Sequence, residues 1–147
     1  MTTTTAVRFP SVAWFQALNE LCNSQDLFRV KHDGSCDCDL GMKIGDQTFE
    51  LTFEAFTIAG VREITDADLE KLDFWLEQSA EEWNAMIANI KQHGRAEGNY
   101  TLNSTDLLSE AAFARGHDAN RRDLFYRFNQ TFQDYFDASA ALNTVFE

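Results

Sequence analysis

The sequence predicts an α+β fold, in which a twisted, mainly antiparallel or mixed sheet of about five strands is covered on one face by helices. Apolar and polar residues alternate over residues 36–44 and 49–53, which is typical of strands with one buried face. Apolar residues at helical spacing flank these strands on both sides. With 147 residues and no internal linker, the chain is expected to form one domain over residues 9–147, after a disordered lead-in at residues 1–8.

The strands are predicted to form a three-stranded antiparallel meander. The turn pair Asp33-Gly34 ends a first strand that three alternating residues predict, namely Phe28, Val30 and His32. A second turn at Gly45-Asp46 joins the two later strands. Past Ala55 the alternation loosens, which indicates a bulge or a strand that turns inward. The acidic residues of the meander are expected on its solvated face rather than in a catalytic cleft: Asp37, Asp39, Glu50 and Glu54.

Capping signals predict where two of the helices begin. The spacing of Thr65 and Asp68, and of Ser79 and Glu82, is that of a capping box, in which each residue satisfies a backbone amide of the other. The first box precedes a leucine stripe, so we expect a helix that reaches residue 76. Gly94 is expected to end the second helix.

The remaining elements are predicted from spacing alone. Pro10-Ser11 is expected to open the first helix, and residues 99–103 are expected to add a short strand. Residues 105–115 are interpreted as a short helix or a mobile lid. An aromatic stripe predicts one long helix over residues 119–141.

The charge of the chain bears on its partners and location. Twenty-four acidic residues oppose twelve Lys and Arg, giving a formal net charge of −12. Binding to nucleic acid or stable association with an anionic membrane is therefore not expected, because both require a basic face. No export signal or membrane-spanning stretch is recognised, and an odd count of cysteines (Cys22, Cys36, Cys38) predicts free thiols. A cytoplasmic location is the expectation.

No residue cluster predicts catalytic or metal chemistry. Cys36 and Cys38 invite a metal or redox interpretation, but without a second Cys or Cys/His pair they are better explained as small buried residues. None of His32, His93 and His117 has a Ser, Cys or Asp partner that spacing identifies. We therefore predict no catalytic residue, no metal and no cofactor.

The aromatic content suggests a cavity. Thirteen Phe and three Trp are more apolar surface than a small one-sided sheet needs, and the excess is expected either to enclose a pocket or to form a dimer interface. The predicted lining is Phe49, Leu51, Phe53, Trp83, Met86, Ile87, Phe125, Phe128 and Phe132. The basic pair Arg121-Arg122 has two interpretations: an anchor for an anionic group at the cavity mouth, or surface ion pairs with Asp118 and Asp123.

Several segments also carry a family resemblance, over about residues 8–105. They are Phe9-Pro10-Ser11 with Trp14-Phe15, residues 41–46 leading into 49–54, residues 83–90, and residues 100–103. In these segments the chain resembles the bacterial branch of the sterol carrier protein 2 (SCP2) family of lipid-binding and lipid-transfer domains. The resemblance implies a mixed sheet with helices on one face, a hydrophobic tunnel for sterols, fatty acids or acyl-CoA, and no catalytic residues.

Three functions are compatible with these observations. The first is non-enzymatic binding or transfer of an apolar ligand. The second is a small isomerase or dehydratase on a cone-shaped (NTF2-like) α+β fold, although in that fold the long helices precede the sheet. The third is a homodimeric or partner-binding module in which the aromatic excess forms the interface.

Overall fold

The computed structural model describes residues 5–31, 36–109 and 111–146, and it confirms the α+β class. The strands are β1 (Ala6–Phe9), β2 (Cys38–Ile44), β3 (Gln47–Glu54), β4 (Thr57–Ile64), β5 (Phe74–Gln78), β6 (Ala114–Arg115) and β7 (Asn143–Phe146). The α-helices are α1 (Val12–Ser24), α2 (Leu27–Lys31), α3 (Ala80–His93), α4 (Leu102–Leu108), α5 (Ala119–Arg127) and α6 (Asn129–Asp137). Short 3-10 turns occupy Asp66–Lys71, Gly98–Tyr100 and Ala138–Ala141.

The main sheet has five strands in the order β4-β3-β2-β5-β6, as the sequence predicts in number and in mixed character. All neighbouring strands are antiparallel except β2 and β5, which run parallel with Ile44 opposite Gln78. Chain order and sheet order differ here, because β5 follows β4 in the chain but lies beside β2. The register between β3 and β4 shifts at Thr52/Phe53, close to the irregularity expected past Ala55.

The core lies between one face of this sheet and the helices α1, α3, α5 and α6. The rings of Phe15 and Phe49 connect α1 to β3 with centroids 5.1 Å apart, and those of Phe132 and Phe53 connect α6 to β3 at 5.4 Å. The opposite face carries a smaller apolar cluster of Ile64, Leu69, Leu72 and Trp75. The prediction of a fully solvated acidic face is therefore only partly correct. Glu50 on this face is buried and forms an ion pair with Arg62.

The prediction of a first meander strand at residues 28–32 is wrong. Residues 27–31 form the short helix α2, and Phe28 is buried with its ring centroid 6.0 Å from that of Phe53. The alternation was therefore incidental, because a single buried aromatic fixes this segment against the sheet. His32 and the turn pair Asp33-Gly34 lie outside the described residues.

The helix predicted to reach residue 76 is also wrong, although its capping box is present. Thr65 and Asp68 cap only the 3-10 turn, whose Leu69 packs on the outer face of the sheet. Residues 74–78 then form β5, in which Phe74 and Leu76 point into the core. The leucine stripe that predicts a helix is thus divided between the two faces of the sheet.

The long C-terminal helix is broken into two. Phe128 leaves helical geometry, with φ −111° and ψ 24°, and separates α5 from α6. The break lets Phe125 and Phe132 stack with an interplanar angle of 4°, so that both rings enter the core. The strand predicted over residues 99–103 is absent, since a 3-10 turn and the start of α4 occupy those positions. The segment 105–115 holds most of α4 and the short strand β6.

The predicted disordered lead-in is wrong from Ala6 onward. Residues 6–9 form β1, which pairs in parallel with β7, an element that the sequence did not predict. Nε1 of Trp14 donates a hydrogen bond of 3.0 Å to Oγ1 of Thr144 and so fastens β7 to α1. Phe9 at the end of β1 is buried with its ring centroid 4.6 Å from that of Trp14, which anchors β1 to α1. No helix in the described part of the chain is long and apolar enough to cross a membrane.

Candidate functional site

A cleft of about 620 Å³ opens at the carboxyl ends of the parallel strands β2 and β5. One wall is the N-terminal turn of α3, and the other is formed by Leu108, Ser109, Ala111 and Arg115. Crevices beyond the carboxyl ends of parallel strands are common ligand-binding positions, because the connections that follow two neighbouring strands leave the sheet there in different directions. In this chain β2 turns back into β3, whereas β5 continues into α3.

Gly45 and Ser79 fix how the chain leaves the sheet at this end. Gly45 has a φ of +61°, and a Cβ atom built on it would lie 3.2 Å from Cβ of Ala80, so glycine suits both the backbone and the space. Ser79 accepts a hydrogen bond of 3.1 Å from the amide of Glu82, and Oε1 of Glu82 accepts one of 3.1 Å from the amide of Ser79. This confirms the capping box, and it holds the Glu82 carboxylate at the cleft.

Both cations that border the cleft are already bound to acidic partners. Arg115 lies with Nη1 3.4 Å from Oε2 of Glu77, and its Nε donates a hydrogen bond of 2.7 Å to the carbonyl of Ala112. Lys43 contacts both carboxylate oxygens of Asp66 at 2.7 and 2.8 Å. Three carboxylates border the same space, those of Asp46, Glu77 and Glu82. The cleft therefore has a slight excess of negative charge.

A second compartment of about 210 Å³ adjoins the cleft and is more apolar. Its apolar lining comes from α3 and from the region of α4: Ala85, Met86, Tyr100 and Leu108. The two compartments share Gln78, Glu82, Leu108 and Ser109, so they lie side by side. Leu108, which borders both compartments, is 63% exposed, and Leu107, its neighbour in the chain, is 74% exposed. Such exposure of adjacent large apolar side chains is a common sign of a binding surface.

Gln78 has an unusual environment within this space. It ends β5 and borders both compartments. Its amide nitrogen Nε2 is buried but has no hydrogen-bond partner among the described residues. A buried donor without a partner is costly and is uncommon in folded proteins.

The residues predicted to line an enclosed cavity lie mainly in the core. Eight of the nine are buried, and Phe128 is partly buried. Their rings pack directly against neighbours, as shown by Trp83 and Phe113 with centroids 5.6 Å apart. Met86 is the one of the nine that also borders the apolar compartment. A ligand cavity between sheet and helices stays a prediction.

The basic pair Arg121-Arg122 does not border the cleft. Nε of Arg121 donates a hydrogen bond of 2.8 Å to Oδ1 of Asp73, a partner that sequence spacing did not suggest. Asp118, one of the two predicted partners, instead caps α5 by accepting from the amides of residues 120 and 121. Arg122 keeps a buried Nε without a partner within the described ranges.

The cysteines and histidines provide no catalytic centre in the described parts of the chain. Cys36 and Cys38 are free and buried with their Sγ atoms 3.7 Å apart. Their mutual hydrogen bond and burial raise the pKa of the Cys38 thiol far above its ordinary value, which suppresses thiolate chemistry. His93 and His117 are exposed, and His32 lies outside the described residues. No group of three potential metal ligands occurs over residues 5–31, 36–109 and 111–146.

The hydroxyl groups at the cleft are not arranged as nucleophiles. Oγ of Ser79 accepts the capping hydrogen bond, and Oγ of Ser109 donates one of 2.6 Å to the carbonyl of Thr105. Within the described residues, no histidine borders the two compartments to act as a general base.

Comparison of this chain with protein-family models, with curated proteins and with solved structures finds no significant match. The functional assignment therefore depends on the geometry of the cleft.

Proposed function

We propose that this protein is a non-enzymatic binder or carrier of a small apolar or amphipathic molecule, held in the cleft between α3 and α4. The observation that carries the proposal is a polar compartment beside an apolar one: both are bordered by the exposed Leu108, and the apolar one is also lined by Met86. The volume of the polar compartment, about 620 Å³, lies within the range of small-molecule sites. The resemblance to SCP2-like domains supports the same class of ligand, namely sterols, fatty acids or acyl-CoA.

Burial of apolar surface would drive binding. Each Å² of apolar area that a ligand removes from water at Leu108, Ala85 and Met86 contributes about 25 cal/mol to the binding free energy, before the cost of association. The polar compartment leaves room for a head group that stays hydrated. An amphipathic molecule therefore fits the two compartments better than a wholly apolar one.

A pair of substitutions on α3 tests this proposal. Ala85 and Ala88 are both exposed on the same helix, but only Ala85 borders the cleft. We expect Ala85→Trp to fill the apolar compartment and to weaken binding of the neutral fluorescent probe N-phenyl-1-naphthylamine at least about tenfold, while Ala88→Trp leaves it unchanged. Native mass spectrometry of freshly purified protein, followed by organic extraction, would identify a co-purifying ligand.

Equal binding of the probe by both variants would rule out this cleft as the site. A second candidate, a protein interface, is favoured by Leu107, which is 74% exposed yet does not border the cleft. Sedimentation of Leu107→Asp and Leu108→Asp separates the two functions. If the protein is a carrier, Leu108→Asp weakens probe binding and Leu107→Asp does not. If the leucines form an interface between copies of the chain, each substitution lowers the sedimentation coefficient of the assembly.

A further inference from the structure

We infer that the side chain of Asn23 blocks one edge of the main sheet, and that it keeps β4 from pairing with β4 of a second copy of the chain. The inference is independent of the proposed function, because β4 does not border the cleft. It follows from the position of β4 at the edge of the sheet, from two hydrogen bonds that Asn23 makes to its backbone, and from the irregular, charged course of the strand.

The two edges of the five-stranded sheet differ in length. β6 is an edge strand of two residues, whereas β4, at the other edge, has eight. An edge strand carries backbone N–H and C=O groups that no neighbour in its own sheet uses, so a long one can pair with a strand of another molecule. A two-residue edge offers little for such pairing. Self-association through the sheet is therefore a matter for β4.

The carboxamide of Asn23 takes the place of a pairing strand at Ile58. Its Oδ1 accepts a hydrogen bond of 2.9 Å from the amide of Ile58, and its Nδ2 donates one of 3.0 Å to the carbonyl of the same residue. In an antiparallel sheet the two residues of a hydrogen-bonded pair exchange the same two bonds. The side chain thus imitates the backbone of a neighbouring strand, and it uses both groups of Ile58 within the chain.

Next to Asn23 the edge of β4 faces a groove of about 400 Å³ between the strand and α1. Gln16 and Glu20 line the helical side of this groove, and residues 59–61 line the other. A Cβ atom built on Gly60 meets no atom within 4 Å, so there is open space beside the backbone. The helix therefore leaves room along this part of the strand, and the side chain of Asn23 closes the edge at Ile58.

Two further features of β4 oppose pairing. Ile58 lies opposite Phe53 and Gly60 opposite Thr52, so Ala59 is an extra residue in the strand, as in a β-bulge. Arg62 and Glu63 follow it with exposed, charged side chains. Bulges and charges are common on edge strands that remain unpaired. Asn23 complements them because it acts directly on the backbone hydrogen bonds.

Asn23→Ala tests the inference, with Gln16→Ala as the matched control. Both remove an exposed polar side chain from the groove side of α1, but Gln16 has no hydrogen bond to β4 in the described chain. By sedimentation, we expect Asn23→Ala to self-associate at least about tenfold more strongly than the wild-type protein or Gln16→Ala, because each copy gains two free backbone groups. The net charge of −12 opposes association, so added salt should strengthen it.

Hydrogen exchange at the amide of Ile58 locates the contact. In dilute Asn23→Ala this amide has lost its acceptor and should exchange faster than in the wild-type protein, whereas at high concentration a paired strand should slow it again. Tyr135→Phe, which removes a hydrogen bond inside the core, controls for a general loss of stability and should not self-associate.

Three results would overturn the inference. The first is an Asn23→Ala variant that is as monomeric as the wild-type protein. The second is association of this variant that leaves the Ile58 amide exchanging fast, because the contact then lies elsewhere. The third is a wild-type protein whose Ile58 amide becomes more protected as the concentration rises, because β4 then pairs in spite of Asn23. None of these results depends on ligand binding at the cleft.

Discussion

The hydroxyl of Tyr135 donates a hydrogen bond of 2.6 Å to Oδ1 of Asn19, joining α6 to α1 within the core. Both side chains are buried, and the two residues are 116 positions apart in the chain. Tyr135→Phe would leave a buried amide oxygen without its donor. We expect a loss of about 1–3 kcal/mol in the free energy of unfolding, measured by urea denaturation.

Tyr126→Phe is the matched control for this change. Tyr126 is 49% exposed, so the same loss of a hydroxyl should alter stability by less than about 0.5 kcal/mol. If the two variants are equally stable, the hydrogen bond between Tyr135 and Asn19 contributes nothing measurable.

Alkaline pH should destabilise the fold through Cys22. Burial raises the pKa of the Cys22 thiol from its ordinary value of 9.0 to about 12. The folded state therefore holds this proton more tightly than the unfolded state. The resulting stabilisation is complete below about pH 9 and is lost as the pH rises from 9 towards 12.

The measurement is the free energy of unfolding at several pH values from 8 to 10.5, compared with that of Cys22→Ala. The variant should be less stable at pH 8, because it leaves a small cavity, but its stability should fall less steeply above pH 9. Native Cys22 should also resist iodoacetamide at pH 8 until the protein is unfolded. Rapid alkylation of the native thiol would contradict its burial.

Gly41 should be intolerant of any side chain. A Cβ atom built on it would lie 2.7 Å from Cβ of Trp75 and 2.8 Å from Cδ2 of Leu69. Gly41→Ala should cost about 1–3 kcal/mol, because the parallel neighbour β5 and the 3-10 turn would have to move. Gly60→Ala is the control, since no atom lies within 4 Å of its built Cβ. Chemical denaturation of both variants tests the difference, and equal stabilities would contradict the close approach.

Substitutions of Asp73 and Arg121 should differ in their cost to the free energy of unfolding, although the two residues form one ion pair. Oδ2 of Asp73 also accepts a hydrogen bond of 2.7 Å from the amide of Asp39, which attaches the start of β5 to β2. Asp73→Ala should cost about 1–2 kcal/mol, because that amide loses its acceptor. Arg121→Gln removes a side chain that is 43% exposed and should cost less than about 1 kcal/mol.

Ligand binding provides a further readout for Arg121→Gln. Because Arg121 does not border the cleft, this variant should bind N-phenyl-1-naphthylamine as the wild-type protein does. A loss of binding would restore Arg121 as an anchor for the ligand.

The predictions that succeeded depended on patterns that are local in the chain. The alternation from Cys38 to Ile44 and the capping box of Ser79 and Glu82 each specify an element through its own residues. The failures arose where distant contacts decide the structure. Phe28 packs against Phe53, which lies far from it in the chain. Leu72 and Leu76 lie on opposite faces of the sheet, and their spacing in the sequence does not reveal this.

The candidate site was missed for a related reason. Its walls come from the ends of β2 and β5, whose parallel register depends on a crossover that no local pattern specifies. The unpartnered amide of Gln78 is likewise visible only in three dimensions. One signal was available: a short apolar run, Phe74-Trp75-Leu76, ends shortly before the capping box at Ser79, which marks a strand-to-helix junction. The aromatic residues instead drew attention to the core.

The parallel pairing of β1 with β7 has a mechanical consequence. Ala6 lies opposite Asn143 and Phe9 opposite Phe146. The start of β1 and the end of β7 are therefore at opposite ends of this small sheet. Tension applied between the two ends of the chain would slide one strand along the other instead of peeling them apart. All the backbone hydrogen bonds of the pair would then bear the load together. The fold should therefore resist stretching along this axis more strongly than two strands of only four residues would suggest.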